Sequence, residues 1–166
     1  AKKLKFEGRA FINGKYVNAI DGEKFETINP ATGEKLCSVA KCNHKDVNLA
    51  VKVSRKAFIS GVWSRTSPEY RKGVLLKFAQ LLRETGIENS VLECVDTGKL
   101  IADCINEVAN DAPMHFQWYG ELIDKVFGKV GPTEPSITSL IVKEPIGVVA
   151  GVVPWNFPLM MAVWKM

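Results

Sequence analysis

One run of residues constrains this chain more than any other. Ile146-Gly147-Val148-Val149-Ala150-Gly151-Val152-Val153 is apolar throughout and is closed by proline on both sides, Glu144-Pro145 before it and Pro154 after it. It has no alternating polar positions and therefore no face to offer to water. Such a run suits a strand buried on both faces, as in a parallel α/β sheet. A short buried helix is the alternative, and two glycines and four valines argue against it. Pro154-Trp155-Asn156-Phe157-Pro158 then ends the run. Pro158 opens an apolar helix, Leu159 to Trp164, because proline is favoured in a first helical turn. That helix start reaches Met166 with nothing to cover it, and a buried parallel strand needs neighbours. Both observations lead to the expectation that the chain is the amino-terminal part of a longer protein.

Upstream, local signals divide the chain clearly. Phe11-Ile12 and Tyr16-Val17 flank Asn13-Gly14, a pair that tolerates positive φ at both central positions of a tight β-hairpin. Asn29-Pro30-Ala31-Thr32-Gly33 reads as a turn, with a strand expected over Lys35 to Ala40. Helices are expected next. Val47, Ala50, Val51, Ala57 and Phe58 recur at helical spacing, with Asn43 and Asp46 placed as a capping box and Gly61 as the stop. Ser67-Pro68 caps a second helix whose apolar face holds Val74, Leu75, Phe78, Leu81 and Leu82. A third runs from about Glu88 to Thr97 and ends at Gly98. A fourth covers Asp103 to Asp124, kinked or divided by Pro113. Gly131, Pro132 and Pro135 mark a connection, and Ser139 to Lys143 reads as a strand.

Composition excludes several classes. Hydrophobic residues make up 46% and charged residues 24% of the 166, which argues against disorder. No stretch reaches the ~18 uninterrupted apolar residues of a membrane span, and Ala1 to Arg9 holds no apolar signal-peptide core. The net charge of +4 comes from scattered basic residues apart from Lys2, Lys3 and Lys5, so a nucleic-acid face is not expected. Cys37, Cys42, Cys94 and Cys104 match no common zinc spacing. They are expected to be reduced thiols of a cytoplasmic protein, acting as small buried hydrophobes in strand or helix. His44 and His115 lack ligand-spaced partners and read as surface or hydrogen-bonded histidines.

Glu144-Pro145-Ile146-Gly147-Val148 followed by Pro154-Trp155-Asn156-Phe157-Pro158 closely resembles the aldehyde dehydrogenase superfamily. Other segments agree in the same order. Phe11-Ile12-Asn13-Gly14 resembles the family's early hairpin, and Asn29-Pro30-Ala31-Thr32-Gly33-Glu34 its next turn. Glu93-Cys94-Val95-Asp96-Thr97-Gly98-Lys99 resembles its acidic Gly-Lys motif, and Trp118-Tyr119 its aromatic pair. Each early motif is weak alone; their collinearity with the Pro-Trp-Asn-Phe-Pro segment is not. Within the superfamily, Trp118 to Val126 is similar to bacterial γ-glutamyl-γ-aminobutyraldehyde dehydrogenases, with betaine-aldehyde and retinal-type relatives close. Two positions depart from the pattern: Leu100 stands where proline is usual, and Gln117 where arginine is common.

The resemblance implies an α/β fold: the amino-terminal part of a Rossmann-like aldehyde dehydrogenase, with helices, an early β-hairpin and an oligomerisation arm. Residues 1–132 would form the amino-terminal part of the cofactor-binding domain and 133–147 the arm, containing the Ser139 to Lys143 strand. Residues 148–166 would hold the first Rossmann-like strand and the start of the next helix. The implied reaction is NAD- or NADP-dependent oxidation of an aldehyde to a carboxylate through a cysteine thiohemiacetal and a thioester, in a homodimer or homotetramer. The nucleophilic cysteine and general-base glutamate are implied to follow the segment present here, so none of the four cysteines is the nucleophile and the chain alone is expected to be inactive.

Among the residues present, the resemblance makes Asn156 the amide donor to the reaction's oxyanion; a turn asparagine between two prolines is the plainer reading. Val152, Val153, Pro154 and Trp155 match positions beside the cofactor, and a sheet-core role is compatible for the valines. No Gly-x-Gly-x-x-Gly occurs, so no phosphate loop supports dinucleotide binding here. Phe157, Met160, Met161 and Trp164 match substrate-tunnel positions, against an ordinary helix core face. Asp96, with Thr27 and the carbonyl of Ile28, resembles a monovalent-cation site made of hard oxygen ligands, with a water-filled site as the alternative. Glu93 and Asp96 otherwise read as solvated helix-end carboxylates. A non-catalytic binding or assembly module of the same architecture remains the competing reading.

Overall fold

The computed structural model describes residues 4–166, so Lys2 and Lys3 of the basic start lie outside the described residues. Strands β1 (Ala10–Ile12) and β2 (Lys15–Val17) pair antiparallel around Asn13 and Gly14, whose φ values of 55° and 72° are those of the expected tight turn. Strands β3 (Lys24–Ile28) and β4 (Lys35–Ala40) form a second hairpin. Its turn is closed by Gly33 N–H donating to Asn29 O at 2.8 Å, and by the Asn29 side chain accepting from Ala31 N–H. β4 has the expected limits. β3 was not expected, because Lys24-Phe25-Glu26-Thr27-Ile28 is short, mixed in polarity and largely exposed.

Helix α1 (His44–Ser60) carries the capping box at Asn43 and Asp46, and ends at Gly61 with φ 78°. Its expected apolar face is not core: Val47 and Val51 are exposed, and its one buried residue is Asp46. Helix α2 (Pro68–Glu84) starts with Ser67 Oγ accepting from Tyr70 N–H, with proline in the first turn. Helix α3 (Gly86–Thr97) stops at Gly98, φ 76°. The stretch from Ile101 to Lys125 is one helical path of changing pitch: α4 (Ile101–Cys104), a π-helical segment (Ile105–Asp111), α5 (Ala112–Leu122) and a 3₁₀ turn (Ile123–Lys125). Pro113 divides it as expected, but by widening it. Ala112 N–H reaches back five residues to Glu107 O, a register that spares an α-helical carbonyl the clash with the proline ring.

The core lies where α2, α5 and the last helix, α6 (Pro158–Lys165), meet. Ala79, Leu82, Ala112, Phe116, Met160 and Val163 form it, with Leu75, Leu159 and Met161 packed against it. The Phe78 and Phe116 rings meet at a tilt of 59°, their centroids 4.6 Å apart. On the other side, α3 presses against the π segment. A Cβ on Gly86 would lie 2.7 Å from Ala109 Cβ, so only glycine permits that approach.

Two expectations are corrected beyond α5. The run Ile146 to Val153 is not a strand; it pairs with no strand among the described residues, and Ile146 and Val152 are 92% and 88% exposed. A parallel strand draws its stability from neighbours on both edges and both faces, and no such neighbours are folded around this one. The strand assigned to the opening of 148–166 is therefore absent, whereas its helix is present. The expected strand over Ser139 to Lys143 is shorter, β6 (Ser139–Ile141), and pairs with β5 (Lys129–Gly131). This projecting hairpin crosses the expected boundary between 132 and 133. Among the described residues, no helix is long and apolar enough to cross a membrane.

Candidate active-site elbow

The residues singled out between Val152 and Trp164 occupy one continuous path. Val152, Val153, Pro154 and Trp155 form an exposed strip. Trp155 and Asn156 make the turn that leads into α6. Asn156 is exposed, and its side-chain amide neither donates to nor accepts from another described residue, so its N–H groups are free to donate outward. Phe157 stands just before the helix in a non-helical conformation and gives it no side-chain cap.

The four apolar positions do not share one environment. Met160 is 6% exposed and belongs to the core with Phe116 and Leu82; the ordinary core reading describes this residue. Met161 is half-buried beside the same core. Phe157 and Trp164 are exposed. Trp164 borders a cleft of about 330 Å³ with His115, Phe116 and Tyr119, its ring 5.6 Å from that of His115. His115 Nδ1 lies 2.9 Å from Asp111 O, a satisfied histidine as expected.

Behind the elbow stands an ionic cluster that the sequence did not reveal. Glu93 is 7% exposed, which corrects its reading as a solvated helix-end carboxylate. Its Oε2 accepts from Leu159 N–H at 3.4 Å, and its Oε1 lies 3.7 Å from Lys99 Nζ. Lys99 Nζ is also paired with Glu107 Oε2 and sits 4.1 Å from the centre of the Phe157 ring. Burial pushes the Glu93 carboxyl upward, while the Leu159 N–H and the Lys99 charge pull it back. The clue lay in the Glu93-to-Lys99 motif, but Glu107 joins only through the π segment, whose register is not visible in a periodicity.

Thr27 and Asp96, two of the residues singled out for a cation site, are joined by a hydrogen bond. Thr27 Oγ1 donates to Asp96 Oδ1 at 2.9 Å across 69 residues. The β3–β4 register is interrupted between Thr27 and Ile28, and Asp96 is exposed. Both side chains border an open cleft of about 770 Å³ that also touches Glu93 and Leu159. Cys42 is exposed in the loop before α1, not a buried hydrophobe; Cys104 is fully buried, and burial pushes its thiol up. All four cysteines are unpaired.

The helical layer, the hairpins and the Pro154-to-Pro158 elbow have close counterparts. The chain belongs to the aldehyde dehydrogenase family, whose model matches residues 16–166. It is 42% identical, over its full length, to the NADP/NAD-dependent aldehyde dehydrogenase PuuC of Escherichia coli, covering 34% of that protein. It superposes on the P. syringae indole-3-acetaldehyde dehydrogenase AldA, solved with NAD+ and IAA, with a TM-score of 0.96 and 45% identity. That match covers 99% of this chain and 33% of the other. The γ-glutamyl-γ-aminobutyraldehyde dehydrogenase of Burkholderia cenocepacia gives a TM-score of 0.95 at 46% identity, covering 98% of this chain and 33% of that one. The chain thus spans about a third of the length of the relatives it matches.

The two departures from the family pattern have simple local accounts. Leu100 adopts φ −62°, the value a proline ring would impose, at the start of α4. Gln117 accepts from Arg83 and donates to Glu121 at 2.8 Å, bridging α2 to its own helix.

Proposed function

We propose that the polypeptide carrying this chain oxidises an aldehyde to a carboxylate with NAD+ or NADP+, by way of a cysteine thiohemiacetal and a thioester. This chain contributes the oxyanion donor, one wall of the cofactor site and part of the substrate wall. The observation that carries the reading is the Pro154-to-Pro158 elbow, with the Asn156 amide exposed and without a hydrogen-bond partner among the described residues, at the start of a packed helix. When a thiolate attacks the aldehyde carbon, the carbonyl oxygen gains negative charge. A fixed amide N–H aimed at that oxygen stabilises the charged state more than the neutral aldehyde. The exposed strip Val152, Val153, Pro154 and Trp155 suits contacts to a nucleotide through backbone and apolar surface. A nicotinamide held beside this strip would supply the hydride acceptor. Phe157, Met161 and Trp164 supply apolar wall; Met160 supports it from the core.

Thr27, Asp96 and the Ile28 carbonyl would hold a monovalent cation as hard oxygen ligands. The β5–β6 hairpin carries exposed Val130, Leu140 and Ile141 and is suited to add to a neighbouring subunit's sheet in a dimer or tetramer. Four unpaired thiols suit a reducing compartment such as the cytoplasm.

The test is NAD(P)H formation, followed by absorbance, with a panel of aldehydes. The complete polypeptide turns over. The 166-residue chain alone does not, because the nucleophile and general base are supplied elsewhere. Turnover by the chain alone, at the rate of the complete polypeptide, overturns this division of labour.

A further inference from the structure

We propose that Lys99 is a positioning residue for the elbow, holding Asn156 in place through the Phe157 ring and the start of α6. The inference rests on the role proposed above for Asn156.

The geometry runs from backbone to elbow. Gly98 ends α3 in the left-handed region and turns the chain back. The Lys99 backbone is then held on both sides: its N–H donates to Thr97 Oγ1 at 3.3 Å, and its carbonyl accepts from Cys94 Sγ at 3.1 Å. This aims the side chain inward, where it is 19% exposed. Its ammonium meets three groups: Glu107, Glu93 and the face of Phe157. An ammonium over an aromatic face is attracted by the ring quadrupole, more strongly when water is excluded.

Glu93 extends the arrangement to the helix. Leu159 follows Pro158 in the first turn of α6, where backbone N–H groups have no partner within the helix. Phe157 cannot cap with its side chain, and Glu93 Oε2 takes that place from 66 residues away. A carboxylate at a helix N-terminus also complements the helix dipole. Glu93 Oε1 has no hydrogen-bond partner among the described residues and is nine-tenths buried, so the nearby Lys99 charge is what compensates it. Lys99 therefore holds residue 157 by its ring and residue 159 by way of Glu93. Asn156 is bonded to the first of these.

The experiment uses the complete polypeptide with Lys99→Met, Lys99→Arg, Asn156→Ala and the double variant Lys99→Met/Asn156→Ala. Two readouts are taken: steady-state kinetics, giving kcat and KM, and hydrogen–deuterium exchange at the Leu159 amide. Lys99→Met is expected to lower kcat by about ten- to a hundredfold, as a displaced catalytic group does, with KM nearly held and Leu159 exchange accelerated. Lys99→Arg keeps the charge and should restore both. The double variant should be no slower than Asn156→Ala. Unchanged exchange at Leu159 in Lys99→Met overturns the proposal, and so do losses that multiply in the double variant. If Asn156→Ala leaves kcat intact, the reading of Asn156 fails, and the exchange measurement alone decides the role of Lys99. Should Lys99→Met not fold, Glu107→Gln releases the same ammonium from one partner at nearly constant size and is judged by the same two readouts.

Discussion

Asp46 ties the amino-terminal segment to helix α1: its Oδ1 accepts from the Ile20 backbone N–H at 2.9 Å while its Oδ2 accepts from Asn43 N–H at 2.9 Å. One carboxylate thus closes the helix start and joins it to a loop 26 residues earlier. The bonds from Asn43 and then Ile20 hold the Asp46 carboxyl below its ordinary range. A lowered folded-state value means that its stabilisation is present above the unfolded carboxyl pKa and is lost as pH falls through the folded one. Asp46→Ala should lower the melting temperature at neutral pH, and the difference from the parent should shrink in acid, below the ordinary carboxylate range. Melting curves across pH check this; a difference that does not change with pH would remove the charge from the explanation.

Gly98 is a second sensitive point. Its φ of 76° is a left-handed conformation, and an added Cβ would lie 2.8 Å from Pro30 Cγ. Gly98→Ala should cost about 1–2 kcal/mol for the backbone alone, with the contact adding to it. Gly14→Ala, also at positive φ but with open space around it, should cost less. Urea unfolding of the two variants compares them directly.

Met160 is buried in the core while Trp164, on the same helix, is exposed. Met160→Ala opens a cavity among Phe116, Leu82 and Val163 and should cost about 2–5 kcal/mol of stability. Trp164→Ala removes an exposed side chain. It should leave stability within about 1 kcal/mol while raising KM for bulky aldehydes in the complete polypeptide. Denaturant midpoints and KM measured on both variants check the split; the reverse pattern would exchange the two assignments.

Asn156→Ala tests the chemical role. The amide has no hydrogen-bond partner to lose among the described residues, so the melting temperature should stay near that of the parent. In the complete polypeptide kcat should fall by roughly a hundred- to a thousandfold, as for other oxyanion donors, with KM little changed because the oxyanion forms only after attack. Early melting with normal turnover per folded molecule would return Asn156 to the status of a turn residue.

Local chemistry made much of this protein readable from its residues. Asn13-Gly14, the Asn43–Asp46 box, Ser67-Pro68, Gly98 and Pro158 each act within a few residues, because turn and cap preferences depend on φ and on nearby hydrogen bonds. The Pro154-to-Pro158 elbow was legible for the same reason. What depended on distant partners was not. Ile146 to Val153 has the composition of a buried strand, yet composition cannot supply the neighbouring strands such a run needs, and here it stays exposed. Glu93 looked like a solvated carboxylate until packing placed it under Leu159 and beside Lys99. Met160 and Trp164 are four residues apart on one short helix, and only the position of α2 and α5 decides that the first is core and the second is surface. Sequence determined where elements begin, end and turn; tertiary structure decided which faces are covered and which charges meet, since burial depends on what the rest of the chain brings close.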